Sequence, residues 1–217
     1  MTVETWFRSD AGVRWQFETG ALCLDFAYLG GFPEGAFGPA SGLPGATAAP
    51  GSPRWDGLLV PADLGDWLGE RYPGLGQAPS DRELHDARSF RGAVARLALC
   101  AADGHTPDAD DIDVVNLFAA LPDVPPSLAG GRRQAGAGRL RTGQALASVA
   151  RDAVTLFAGV GFVGEPGRRI LRCSADDCGL VFYDDSRAGT RRWCSMPKCG
   201  NRSKVRAHRA RVAAAHA

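Results

Sequence analysis

Four of the six cysteines fall inside 27 residues near the end of the chain: Cys173, Cys178, Cys194 and Cys199, spaced C-x4-C-x15-C-x4-C. Two pairs of thiols at short spacing, separated by a loop of that length, suit a tetrahedral Zn2+ held by four sulfurs. The pattern is also duplicated, because both Cys173–Gly179 and Cys194–Gly200 read C-S-x3-C-G. A glycine after the second cysteine can take a positive φ, turning backbone N–H groups toward thiolate sulfur. Zinc is therefore expected at these four residues, in preference to a thiol switch or a disulfide set. A closed four-sulfur site leaves no open coordination position, so one structural ion is implied.

The segment between the pairs predicts a hairpin, with strands at 180–183 and 191–194 and its turn at 184–189. After Cys199 the chain runs in good helix formers without proline to its end, so the last ligand sits at a helix start in a treble-clef-like arrangement. Arg202, Arg206 and Arg209 recur at i, i+4 and i+7 and share one face, with Lys204 and Arg211 flanking. Val205 and Val212 fall elsewhere and could pack back on the hairpin. Arg187, Arg191 and Arg192 supply phosphate partners from the hairpin, since arginine bridges phosphates and reads guanine bidentately. Asn201 serves either as the helix N-cap or as a partner for adenine.

Charge is distributed to match. Residues 168–217 hold twelve Lys+Arg and four Asp+Glu, a net of +8, whereas the first 167 hold thirteen and twenty, a net of −7. An acidic body with a basic tail points to an anionic partner. No run approaches the roughly 18 apolar residues of a membrane span, and the first residues carry neither a basic leader nor an apolar stretch. A cytoplasmic protein without membrane association is the expectation. The chain lacks a Walker loop, a dinucleotide-binding glycine fingerprint, a G-x-S-x-G elbow and a His-Glu-x-x-His motif, so no catalytic residue is assigned and an enzyme is not expected.

The fold class expected is α+β: a mainly helical N-terminal domain over 1–165 with a small antiparallel sheet, then a zinc finger over 168–217 ending in a basic helix. Alternation in 15–29 predicts one or two short strands ending near Phe26. Residues 33–53 are rich in Gly, Pro and Ala and read as a loop. A helix from Pro61 turns Leu64, Trp67 and Leu68 inward. The capping box of Ser80 with Glu83 opens a second helix with Leu84, Ala87, Val94, Leu97 and Ala101 inside. A third over 108–120 faces Ile112, Val115 and Ala119 inward, and a fourth over 142–158 buries Leu146, Val149, Ala153 and Phe157. Cys23 and Cys100 lie in apolar surroundings and are expected to pack in the core. The aromatics of residues 1–72 are read as core in preference to a ligand pocket, and His85 as structural.

Cys199-Gly200-Asn201-Arg202 resembles the signature of the CGNR zinc finger. The likeness extends over about 168–211, through Phe182, Asp184, Ser186, Arg187, the run Arg191–Met196 and Lys204. The body resembles the companion ABATE domain through Leu22–Phe26, Asp63, Leu64, Trp67, Leu68 and Arg151–Ala153. After Leu-Asp-Phe that family usually continues Val-Asn-Thr, whereas this chain has Ala27, Tyr28 and Leu29, and the 33–53 loop is similar to an insertion. The resemblance implies a stress-linked bacterial transcription regulator. Its expected partners are double-stranded DNA, a small-molecule effector of the N-terminal domain and a second copy forming a homodimer. RNA or ribosome binding by the same helix, and protein interaction through the basic tail, are the competing readings.

Overall fold

The computed structural model describes residues 5–8, 14–30, 32, 57–126, 140–163, 169–176 and 178–215. Its order is β1 (Thr5–Arg8), β2 (Arg14–Phe17), α1 (Leu22–Ala27), α2 (Pro61–Arg71), α3 (Asp81–Asp103), α4 (Ala109–Ala119), α5 (Thr142–Val160), β3 (Ile170–Arg172), β4 (Val181–Tyr183) and α6 (Asn201–Ala215). Two antiparallel ribbons accompany the helices. β1 pairs with β2, Thr5 opposite Phe17, and β3 with β4, Ile170 opposite Tyr183. The loop predicted at 33–53 lies outside the described residues, as do the side chains of Trp6, Trp15 and Trp55.

Helix faces follow the sequence periodicity. Ser80 Oγ accepts from the Glu83 N–H and the Glu83 carboxylate accepts from the Ser80 N–H at 2.8 Å, so the capping box closes in both directions. The helix it opens ends at Gly104, whose φ of +72° suits a residue without Cβ. Leu64, Leu68, Leu84, Ala87, Val94, Leu97, Ala101, Leu146, Val149, Ala153 and Phe157 are all buried. Phe26 stacks on Phe90 at 5.5 Å and packs on Trp67 at 5.1 Å, while Phe90 stacks on Phe118 at 4.8 Å. The described aromatics thus build core. Cys23 is fully buried and Cys100 half-buried.

Three expectations give way. Residues 22–27 form a helix, not a strand. Five of those six residues are buried, so no exposed face marks a helical period, and the Asp152 carboxylate of α5 caps the segment by accepting from the Cys23 N–H at 2.8 Å. On α4, Val115 is buried and Ala119 packs against the core, but Ile112 is 37 % exposed and Asp111 lies inside. The Arg96 guanidinium of α3 donates to both Asp111 oxygens through Nε, at 2.9 and 3.0 Å, and this fixes the rotation of the helix. Finally, β4 pairs with β3, and residues 191–194 carry no strand.

The β3–β4 ribbon packs on α3, and its buried residues Ile170, Leu180, Val181 and Phe182 belong to the same apolar cluster as the helices. Polar ties reinforce that junction. The Tyr28 hydroxyl donates to the Val181 carbonyl and accepts from the Val181 N–H, both at 2.8 Å. The Tyr183 N–H donates to the Thr19 carbonyl at 2.7 Å. Arg172 donates to both Asp103 oxygens, at 2.6 and 2.7 Å. Gly20 makes this approach feasible: its φ is +86°, and a Cβ there would lie 2.2 Å from the Tyr183 carbonyl oxygen.

Candidate metal centre

Each pair of cysteines sits on a turn that local hydrogen bonds hold. Cys173 follows β3 directly and its N–H donates to the Leu180 carbonyl at 2.8 Å, while the Cys178 N–H donates to Ala175 at 2.9 Å. The Ser174 N–H donates to the Arg192 carbonyl at 2.8 Å, joining the first turn to the strand-like segment that carries Cys194. Cys199 lies in a π-turn, Met196–Gly200, where its N–H and that of Gly200 both donate to the Ser195 carbonyl. α6 continues from that turn without a break.

A tetrahedron with metal–sulfur bonds of about 2.3 Å has sulfur–sulfur edges of about 3.8 Å. Cys178 Sγ lies 3.7 Å from Cys194 Sγ, which lies 3.5 Å from Cys199 Sγ. All four sulfurs fall within 4.8 Å of one another and all four cysteines are buried. Donor type, number and separation therefore fit one Zn2+, and what the ion supplies here is a structural cross-link. Thiols this close share ionisation unequally. Donation from Cys178 and the other two thiols holds Cys173 far below the usual thiol range. Cys178 and Cys194 are pushed far above theirs, chiefly because the neighbouring Cys173 carries the charge. Only a cation at the centre lets all four ionise together.

The glycines play a different part from the one expected. Neither Gly179 nor Gly200 has a positive φ. Gly200 is closely approached: a Cβ would meet Met196 Sδ at 2.5 Å, displacing that flexible side chain, and Trp193 Cδ1 at 3.1 Å. The N–H donors to sulfur come from elsewhere, with the Cys194 N–H 3.4 Å from Cys173 Sγ and Arg202 Nη2 3.7 Å from Cys199 Sγ.

The arginines expected to meet nucleic acid separate into two groups. Arg191 turns inward: Nε donates to the Trp193 carbonyl at 3.0 Å, Nη2 donates to Cys194 and Glu18 carbonyls at 2.6 and 2.7 Å, and the guanidinium lies 4.3 Å from the Phe182 ring centroid. It is a brace between finger and body. Arg202 is half-buried against Cys199. Arg187, Arg192, Asn201, Lys204, Arg206 and Arg209 are exposed. Asn201 has helical dihedrals, φ −68° and ψ −40°, so it is the first residue of α6 and not its N-cap. Val205 and Val212 are 50 % and 45 % exposed, and α6 buries no residue, so the helix does not pack back on the finger.

Sequence reasoning missed three supports. Asp184 is fully buried, and its carboxylate accepts from the Ser186 N–H at 3.0 Å and the Arg191 N–H at 2.8 Å. Burial pushes its carboxyl upward, but the bonds from Ser186 and Arg191 outweigh burial and hold it below the usual range. Arg169 donates to the Asp184 and Ser186 carbonyls, at 3.0 and 2.8 Å, closing the same loop. The spacing Asp184-x-Ser186 is an Asx-turn signature that could have marked it. Tyr28, a body residue, braces the finger, and no local pattern signals that. Among the described residues no helix is long and apolar enough to cross a membrane.

A mainly helical body carrying a closed four-thiolate finger and an exposed basic helix defines a zinc-finger protein of the treble-clef kind. The family model of the CGNR zinc finger matches residues 169–212. That of ABATE, described as "Putative stress-induced transcription regulator", matches residues 20–160, and the chain belongs to this family. No curated protein matches the chain.

Proposed function

We propose that the protein is a bacterial, cytoplasmic transcription regulator that binds duplex DNA through its zinc finger. The observation that carries this reading is α6: five cations and no carboxylate over fifteen residues, exposed from Lys204 onward and anchored at one end by the metal centre. At 1.5 Å per residue such a helix extends about 22 Å, long enough to follow a major groove across several base pairs. Lys204, Arg206 and Arg209 form the helix contact, Arg187 and Arg192 add phosphate contacts from the finger loop, and Asn201 adds a contact from the start of α6. The finger (168–217) is the reader. The body (1–165) senses a ligand or mediates dimerisation, with no catalytic step assigned to it.

The test is fluorescence anisotropy of the zinc-loaded chain with duplex DNA from upstream of its own gene, beside a scrambled duplex and a structured RNA, at two salt concentrations. A regulator prefers its own duplex by at least about 10³-fold. Log K then falls with log salt by about 0.9 per phosphate contact. The Lys204/Arg206/Arg209→Ala variant should lose the preference while keeping its zinc. Equal weak binding to both duplexes, or tighter binding to RNA, would overturn the reading.

A further inference from the structure

By spacing, Arg202 belongs with Arg206 and Arg209; by geometry it does not. Its side chain is half-buried, whereas every residue of α6 from Lys204 to Ala215 is exposed. Its Nη2 lies 3.7 Å from Cys199 Sγ, within reach of the N–H···S bond that a thiolate accepts. Four thiolates around one Zn2+ leave a net charge of −2 in a buried setting, which is costly unless cations or N–H donors face the sulfurs. The Cys194 N–H, 3.4 Å from Cys173 Sγ, serves a second sulfur of the cluster.

We propose that Arg202, the last residue of the C-G-N-R sequence, is a positioning residue of the zinc centre and not a reader of DNA. Its guanidinium donates to Cys199 Sγ, offsets part of the thiolate charge, and ties the first turn of α6 to the metal. The tie matters because α6 buries no side chain of its own. A helix of this length is marginal alone in water, so its start and direction depend on the π-turn and on Arg202. Cys199 stands two residues before α6, at the positive end of its dipole. The DNA contacts then fall to Arg206, Arg209 and Lys204, one turn further out.

The experiment compares the full chain with Arg202→Gln, which keeps a donor and helix propensity but no charge, with Arg202→Lys, which keeps the charge, and with Arg206→Ala. Zinc retention is read against a chelating dye, and the thiolate-to-metal charge-transfer band is read after Co2+ substitution. Groups that support metal ligands are worth about 10–100-fold in metal affinity. Arg202→Gln should therefore lose about ten-fold or more in zinc retention. Its band should move to lower energy, because a thiolate relieved of a charged donor gives up its electron more readily. Arg202→Lys should fall between Gln and the wild type on both readouts, and Arg206→Ala should match the wild type. Wild-type retention and band position in Arg202→Gln would overturn the proposal. These readouts use no nucleic acid, so they stand whether or not the DNA reading does. A third arm rests on that reading: Arg206→Ala should lower the salt slope by about 0.9, and Arg202→Gln should leave it unchanged.

Discussion

Residues 57–163 are held together by helices that bury one face each, whereas residues 169–215 have two three-residue strands, four thiols and a helix that buries nothing. The first region can collapse on its own apolar surface. The second has little such surface, and its irregular segments are fixed by side chains that bond backbone: Asp184, Arg169 and Arg191. Each region draws its stability from a different source, yet the two are not separable. Tyr28, Thr19 and Gly20 of the body touch β4, and Ile170, Val181 and Phe182 complete the body's core. The metal centre therefore supports a surface on which the helices also depend.

The largest expected effect breaks that dependence. Metal binding contributes about 10–16 kcal/mol in small zinc peptides, as much as the whole stability of a typical domain. Cys194→Ser should take zinc from one ion per chain to none, by atomic absorption, and remove amide-exchange protection from 169–215. The body should remain helical but melt at a lower temperature, since Val181 no longer covers Tyr28. A body that melts at the wild-type temperature would show that the shared core contributes nothing.

What the sequence made legible follows the same division. The capping box, the inward faces of α2, α3 and α5 and the four ligands were readable because each is a local pattern with one strong physical cause. The α1 helix was not, because a segment buried on every side carries no amphipathic period. The partner of β4 was not, because residues 170–172 lie before the first cysteine and nothing nearby marks them as a strand. Periodicity alone turns Ile112 inward, whereas the bidentate ion pair between Asp111 and Arg96 rotates it out. The inward turn of Arg191 and Arg202 is likewise invisible in spacing, which cannot tell a cation aimed at solvent from one aimed at a carbonyl or a sulfur.

Gly20→Ala tests the junction next. A left-handed conformation costs a residue with a Cβ about 1–3 kcal/mol, and here the Cβ also meets a carbonyl oxygen at 2.2 Å. Destabilisation of roughly 3 kcal/mol or more is expected from denaturant unfolding, with zinc stoichiometry unchanged. If zinc fell as well, the junction would be needed to form the site and not only to join it.

Within the finger, Asp184→Asn should cost about 2–3 kcal/mol, because one carboxylate oxygen that accepts an N–H becomes an NH2 facing it. The sign of the pH dependence follows from the lowered carboxyl. Its contribution is fully present above the ordinary carboxylate value of about 4 and is lost as pH falls through the folded value. Unfolding midpoints of the wild type should therefore drop more steeply below about pH 4 than those of Asp184→Asn. Parallel curves would remove Asp184 from the account of the loop. Tyr28→Phe follows in size at about 1–2 kcal/mol, since it leaves the Val181 N–H and carbonyl buried without the hydroxyl that satisfies both.

The smallest effect is the one that separates a free α6 from a docked one. Val205 and Val212 are the large apolar side chains of that helix, and both are about half exposed. Replacing both with Ser removes methyl groups that touch no core, so stability should change by less than about 0.5 kcal/mol at each site. Burying them against the finger would instead have made each worth about 1.5–3 kcal/mol. A large loss from the double variant would mean that α6 folds back in solution and must be released before its cations reach a partner. A negligible loss, with the basic face intact, leaves a helix held only at its metal end and open along the rest of its length.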